Sequence, residues 1–244
     1  MPSYQRILLK LSGEALGKQE KSGIDLDKVF SFARQLKDLR EEGIQIGVVT
    51  GAGNLIRGVE ATSSGIKRDR VDQVGMLATT LNGMMLAEAL ETLGCPSTVI
   101  GAFSCGSIIS TGNAKEAVTA LEQGKVVIFV GGTGNPYFTT DTAAALRACE
   151  IQADVLIKAT KVDGIFDQDP LKNPHAVKIE KTTYHHVLKE GLSVMDASAI
   201  ALCQENTIPI HILNIYQENA LKDAIYEQKG GSIVTGESSC LKMK

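Results

Sequence analysis

The chain has 244 residues, 43% hydrophobic and 22% charged, enough apolar side chains for one large α/β domain or two small ones. A formal net charge of −3 with no Lys/Arg-rich run argues against general binding to nucleic acid or anionic membrane, so any phosphate ligand must be met by local positive groups. Five cysteines, Cys95, Cys105, Cys149, Cys203 and Cys240, show no C-x-x-C spacing and suggest neither a disulfide framework nor a zinc site; a reducing cytoplasm fits them.

The opening MPSYQRILLKLSGEAL has too short an apolar core and too early a charge for a signal peptide. No run elsewhere approaches the roughly 18 apolar residues of a membrane span, so a cytoplasmic protein is expected. Along the chain, strand-length apolar runs alternate with amphipathic stretches of helix length. RILLKL precedes a helix over Asp27 to Glu42, IQIGVVT precedes one over Val71 to Leu93, and STVIGA precedes one over Ala114 to Gln123. KVVIFV is followed by a helix over Thr140 to Glu150, DVLIKA by one over Met195 to Asn206, and PIHIL closes the series. Strands apolar at nearly every position are buried on both faces, which predicts a parallel sheet between helix layers, an α/β fold. No linker or low-complexity segment divides the chain, so residues 1–236 read as one unit, with 237–244 a frayed tail.

In open α/β sheets ligands bind beyond the carboxyl ends of the strands, where loop amides and helix N-termini converge. Three glycine-bearing loops fall there: Lys10-Leu11-Ser12-Gly13 after RILL, GAGNLIRG from Gly51 to Gly58 after IGVV, and VGGTGNPYFTTD from Val130 to Asp141. Oriented amides with a nearby cation, Lys10 or Arg57, suit a phosphate. Neither G-x-x-x-x-G-K-[ST] nor G-x-G-x-x-G occurs, which disfavours a Walker-type ATPase and a Rossmann dehydrogenase. Each loop by itself is equally a tight turn between strand and helix.

The single residues have plain readings too. Lys10 lies in an apolar run, where an unpaired ammonium is costly, so it either snorkels to the surface or meets an anion at the strand end. Arg57 reads as a helix-surface residue, Asp72 as a first-turn acid and Asp141 as an acid near an N-cap. The segment DVLIKATKVDGIFDQDP ends a strand at Lys158 and carries Lys161, Asp163-Gly164 and Phe166 before stopping at Asp169-Pro170. It is either a solvated charged turn or a seat for a triphosphate with a stacked base. His175, His185, His186 and His211 have no metal-ligand spacing and read as surface or packing residues.

Taken in order, RILLKLSGEAL, GAGNLIRG, DQVGMLATTLNG, GGTGNPYFTTDTAA and IKATKVDGIFDQDP resemble the successive signatures of the bacterial uridylate kinases, in the amino acid kinase superfamily, from about Arg6 to Thr235. The resemblance implies a three-layer α/β/α sandwich around a mainly parallel eight-stranded sheet. It implies Mg²⁺-dependent transfer of the ATP γ-phosphoryl group to UMP, giving UDP and ADP, in pyrimidine nucleotide biosynthesis. Lys10, Asp141 and Lys161 would be catalytic. Lys10, Leu11, Ser12, Gly13, Gly53, Arg57, Thr160, Phe166 and Asp169 would face ATP. Ala52, Asp72, Thr133, Gly134, Asn135, Pro136, Tyr137, Phe138, Thr139 and Thr140 would hold UMP. UMP-binding features would thus gather in 50–140, and ATP-binding features in 150–235 with 10–13. The resemblance further implies a homohexamer, activation by GTP, inhibition by UTP, and an effector-linked segment of Lys18, Gln19, Glu20, Lys21, Ser22 and Gly23. No protein ligand to the metal, no nucleic acid and no membrane are expected.

Where the family has three glycines this chain has Gly51-Ala52-Gly53, a methyl that would hinder phosphate approach if its φ were positive. A related kinase acting on a carboxylate or carbamate would lack TGNPYFTTD. A non-catalytic nucleotide-binding relative is disfavoured by Lys10, Asp141 and Lys161 standing together.

Overall fold

The structure, a computed structural model, describes residues 2–18, 22–56, 63, 65–168, 173, 175–192 and 194–236. In chain order its elements run β1 (Arg6–Leu11), α1 (Leu26–Glu41), β2 (Gln45–Thr50), α2 (Arg68–Thr92), β3 (Ser97–Gly101), α3 (Ala114–Glu122), β4 (Val126–Val130), α4 (Thr140–Glu150) and β5 (Val155–Thr160). They continue as β6 (Ile165–Phe166), β7 (Lys178–Ile179), β8 (Lys181–Thr183), α5 (Tyr184–Glu190), α6 (Ala197–Glu205), β9 (Ile210–Asn214), α7 (Ala220–Glu227) and β10 (Ser232–Thr235).

Eight strands form one sheet in the order β3-β4-β2-β1-β5-β9-β10-β8, and every neighbouring pair is parallel except β9 with β10. β6 and β7 form a separate antiparallel ribbon. All five residues of β4 are buried, as a strand covered on both faces requires. Within β1, Ile7, Leu9 and Leu11 pack with α1, α2 and α7, while Leu8 packs with the opposite layer of α3, α4, α5 and α6. The alternation follows from the two-residue period of a strand, and it makes the sheet the middle of three layers. Leu8 is fully buried, and Leu8→Ala would cost about 2–5 kcal/mol.

Side-chain caps fix where several helices begin. Asp25 accepts from the amides of Asp27 and Lys28 at the start of α1, and Asn113 forms a reciprocal capping box with Glu116 at α3. α2 begins at Arg68, earlier than the apolar periodicity indicated, which moves Asp72 out of the first turn. α4 buries Ala143, Ala144, Ala145 and Ala148, all 0–1% exposed, against the sheet and the neighbouring α6. Side chains this small let the helix lie close against the strands, so its first turn comes down onto the ends of β1 and β5. No described helix is long and apolar enough to cross a membrane.

Candidate active site

Because β1, β2, β4 and β5 run parallel, the loops that follow them emerge on one edge of the sheet. At that edge Lys10 and Lys158 are direct partners in the β1–β5 register. Like charges opposite one another in a sheet repel, and burial raises the cost. Asp141, in the first turn of α4, relieves it: Lys10 Nζ lies 2.9 Å from Oδ1 and Lys158 Nζ lies 2.7 Å from Oδ2. All three side chains are 11–16% exposed. Burial pushes the Asp141 carboxyl upward, but the Lys10 and Lys158 charges outweigh it and hold the group below its ordinary range. Burial lowers the Lys158 ammonium from its ordinary value; Asp141 counters that effect and Lys10 adds to it.

Lys158 also donates to the carbonyl of Val194, and Asp196 anchors the neighbouring turn. The Asp196 carboxylate accepts from Thr142 Oγ1 at 2.8 and 2.9 Å, from Thr139 Oγ1, and from the amide of Ala199 at the start of α6. The N-cap of α4 is Thr139, whose hydroxyl accepts from the Asp141 amide, so the Asp141 carboxylate is free for the two lysines. Lys161 lies elsewhere: its Nζ is 2.7 Å from Glu14 Oε2, and its side chain is 58% exposed. From sequence, Lys158 was placed only in a segment that could seat a triphosphate and was given no catalytic role, and Asp196 was not singled out. The signal for Lys158 was present, because it sits in an apolar run just as Lys10 does; nothing in the sequence marked Asp196.

Two loops meet beside this centre. Leu11 is buried; Ser12 caps the short 3-10 turn Gly13–Leu16 by accepting from Ala15, and the amide of Gly51 donates to Leu11 O at 2.8 Å. A Cβ on Gly13 would lie 2.5 Å from the amide nitrogen of Gly53, so only glycine lets the two loops touch. Ala52 is not among the positive-φ residues, and its methyl therefore adds no backbone strain. Arg57 lies outside the described residues.

The third loop explains its own glycines. Gly131, Gly132 and Gly134 have φ of 83°, 61° and 79°, and the amide of Gly131 donates to Thr79 Oγ1 at 2.9 Å. Thr133 Oγ1 accepts from the amide of Asn135 and donates to its carbonyl, closing a local turn before Pro136. Tyr137 has φ 73°, rare for a residue with a side chain. Its amide donates to Asp72 Oδ2 at 2.8 Å, and Arg68 lies over its ring, 5.3 Å from the centroid. Phe138 is half exposed, and Thr139 and Thr140 lead into α4. Asp72 and residues 133–140 are thus brought to one place.

Thr160 and Phe166 flank the loop after β5. Thr160 Oγ1 donates to Val162 O at 2.8 Å, and Asp163 Oδ1 accepts from Asn214 and Gln217 at 2.8 and 3.0 Å. Phe166 is held in the β6–β7 ribbon opposite Lys178. Asp169 lies outside the described residues. Of the segment 18–23, Gln19, Glu20 and Lys21 also lie outside; Lys18 is exposed, while Ser22 Oγ and the amide of Gly23 donate to Asn54 O at 3.2 and 2.9 Å.

Comparison with known proteins agrees with this architecture. Residues 5–214 match the model of the amino acid kinase family. A curated relative, the uridylate kinase of Protochlamydia amoebophila, is 48% identical over 232 residues, covering 94% of this chain and 92% of the relative. The crystal structure of UMP kinase from Ureaplasma parvum superposes with a TM-score of 0.89 at 38% identity, covering 95% of this chain and 98% of that one. UMP kinase from Bacillus anthracis superposes at 0.91 with 30% identity, over 96% of this chain and 97% of that one.

Proposed function

The chain belongs to the amino acid kinase family, among its uridylate kinases, and from that we propose that it transfers the γ-phosphoryl group of ATP to UMP, giving UDP and ADP. The observation that carries the reading is Asp141 set between Lys10 and Lys158 where the three glycine loops converge. Phosphoryl transfer needs little covalent work from the protein; in-line positioning and stabilisation of charge on the transferring group supply most of the catalysis. Lys10 and Lys158 bring positive charge to that group, and Asp141 keeps both ammonium ions at the strand ends instead of swinging toward water. The amides of Gly13 and Gly53 face the phosphates. Asp72 and the loop from Thr133 to Thr140 take the ribose and uracil, while Thr160 and Phe166 flank the ATP base; Lys161 reaches the ATP side once it leaves Glu14.

Mg²⁺ bound with ATP would neutralise phosphate charge and draw electron density from the reacting phosphorus. Among the described residues no group of three or more His, Cys, Asp or Glu could cage a metal. Such an ion would be held mainly by nucleotide phosphates and water, with Asp141 as the carboxylate on hand. The same reading makes residues 1–236 one functional unit in the cytoplasm, feeding UTP and CTP synthesis, and assembled as a homohexamer activated by GTP and inhibited by UTP. Val74, Leu77 and Leu81, about half exposed along one face of α2, offer an apolar surface for assembly.

The test is ADP release by the purified chain with ATP, Mg²⁺ and a panel of UMP, CMP, TMP and carboxylate acceptors. UDP formation with UMP strongly preferred is expected. Turnover of a carboxylate with none of UMP would overturn the reading.

A further inference from the structure

Beneath the first two glycine loops lies a polar pair to which the reaction above gives no role. Asn82 of α2 is fully buried, and Asn54, within the second loop, is 8% exposed. Their amides bond reciprocally: Asn54 Nδ2 donates to Asn82 Oδ1 at 3.0 Å, and Asn82 Nδ2 donates to Asn54 Oδ1 at 2.8 Å. The remaining proton of each goes to a backbone carbonyl, Asn82 to Gly51 at 2.7 Å and Asn54 to Gly23 at 3.2 Å. Every donor of both side chains is used.

The placement is what gives this network its meaning. Asn54 meets the first loop directly, since a Cβ on Gly13 would lie 2.6 Å from its Oδ1 and one on Gly17 would lie 2.7 Å from its Cβ. Asn82 holds the second loop by the carbonyl of Gly51, and the amide of Gly51 is in turn bound to Leu11. The pair therefore fixes both loops to one rigid helix. An apolar pair of similar volume would fill the same space without the desolvation cost of two amides, but it would give no direction to the loops.

We propose that Asn82 and Asn54 are positioning residues for the transfer, setting the spacing between the first loop, which faces the donor phosphates, and the second, where Gly53 faces the donor and Ala52 the acceptor. The inference rests on the kinase reading. Both side chains spend their donors within the protein, and each acts through the backbone of residues 51–54. In-line transfer is sensitive to displacements on the order of 1 Å, so loosening this spacing lowers kcat more than it weakens either nucleotide's binding.

Asn82→Leu fills the same space while removing both donors, and melting registers what leaving the Asn54 amide unpaired costs in stability. Wild type, Asn82→Leu, Asn54→Ser and the double variant are compared by UDP formation, by KM for ATP and UMP, and by melting. In folded variants kcat should fall about tenfold or more while KM for ATP stays within about threefold, and the double variant should lose little more than the worse single one, as members of one network do. Folded variants with kcat within about twofold of wild type, or a change confined to KM, would overturn the proposal. Should Asn82→Leu fail to fold, Asn54→Ser carries the same expectation, because it breaks the reciprocal amide pair while the bond from Asn82 to Gly51 still supports folding. Absence of UDP from the wild type would overturn the kinase reading and this proposal with it; UDP from wild type and variants alike would overturn this proposal alone.

Discussion

Asp141 and Tyr137 stand four positions apart in the chain and are held in opposite ways. Asp141 sits in a helix packed on the sheet by buried alanines, clamped between two ammonium groups from adjacent central strands. Tyr137 is 62% exposed, in a left-handed conformation, and its loop is held from outside by one carboxylate, one arginine and a local threonine turn. Charge that acts on the transferring phosphoryl group must not reorganise, whereas a loop that closes on an acceptor must be able to move. On the proposed function, the rigid chemistry lies in the core and the selective contacts at the rim.

The largest effect should come from Asp141→Asn, which leaves two buried ammonium groups without their counter-ion. Breaking such a cluster costs about 3–5 kcal/mol, and melting should register it together with a loss of turnover. A helix-end role alone would alter stability and spare kcat. Acid titration sharpens the point. The carboxyl is held below its ordinary value, so its contribution to stability is present above the ordinary carboxylate pKa and is lost as pH falls through the lowered folded value. Wild type should therefore shed an increment of stability below about pH 4 that Asp141→Asn does not show.

Lys10→Ala and Lys158→Ala come next, each lowering kcat on the order of a hundredfold with the fold retained, because a cation aimed at developing charge acts mainly in the transition state. Raised KM at normal kcat would break the comparison. A smaller effect is expected at the rim from Asp72→Asn, which should narrow the preference for UMP over dUMP by roughly 1–3 kcal/mol in kcat/KM and leave kcat with UMP near normal. The smallest should be Tyr137→Gly. Relief of the left-handed strain, about 1–2 kcal/mol, is offset in large part by loss of the ring under Arg68, about 0.5–1 kcal/mol, so melting should move by no more than a few degrees while KM for UMP rises.

The core half of this comparison was the more legible in sequence. RILLKL and the helix Thr140–Glu150 could be bounded to the residue, because runs buried on both faces and an alanine-rich helix leave strong periodic marks. The ribbon of β6 and β7, two residues per strand, leaves no such mark, and α7 begins after a left-handed Asn219 with no side-chain cap, so the usual sign of a helix start is missing. The site followed the same rule. Lys10 was visible as a charge in an apolar strand, and Lys158 was visible on the same ground. The partnership of the two depends on the register of β1 against β5, a long-range property that no local window contains. Asp196 and the Asn54–Asn82 pair depend likewise on contacts between distant segments.

That register has a consequence for how the molecule is made. Side chains alternate along a strand, so a slip of β1 by one residue would turn Lys10 toward the layer of α1 and set a leucine opposite Asp141. Such a misassembled chain could still bury most of its apolar surface, but it would leave an ammonium among hydrocarbon and a carboxylate half-answered. The electrostatic clasp at the sheet edge therefore works as a proofreading mark on assembly, and in refolding experiments recovered turnover would count the chains whose central strands had locked at the right notch.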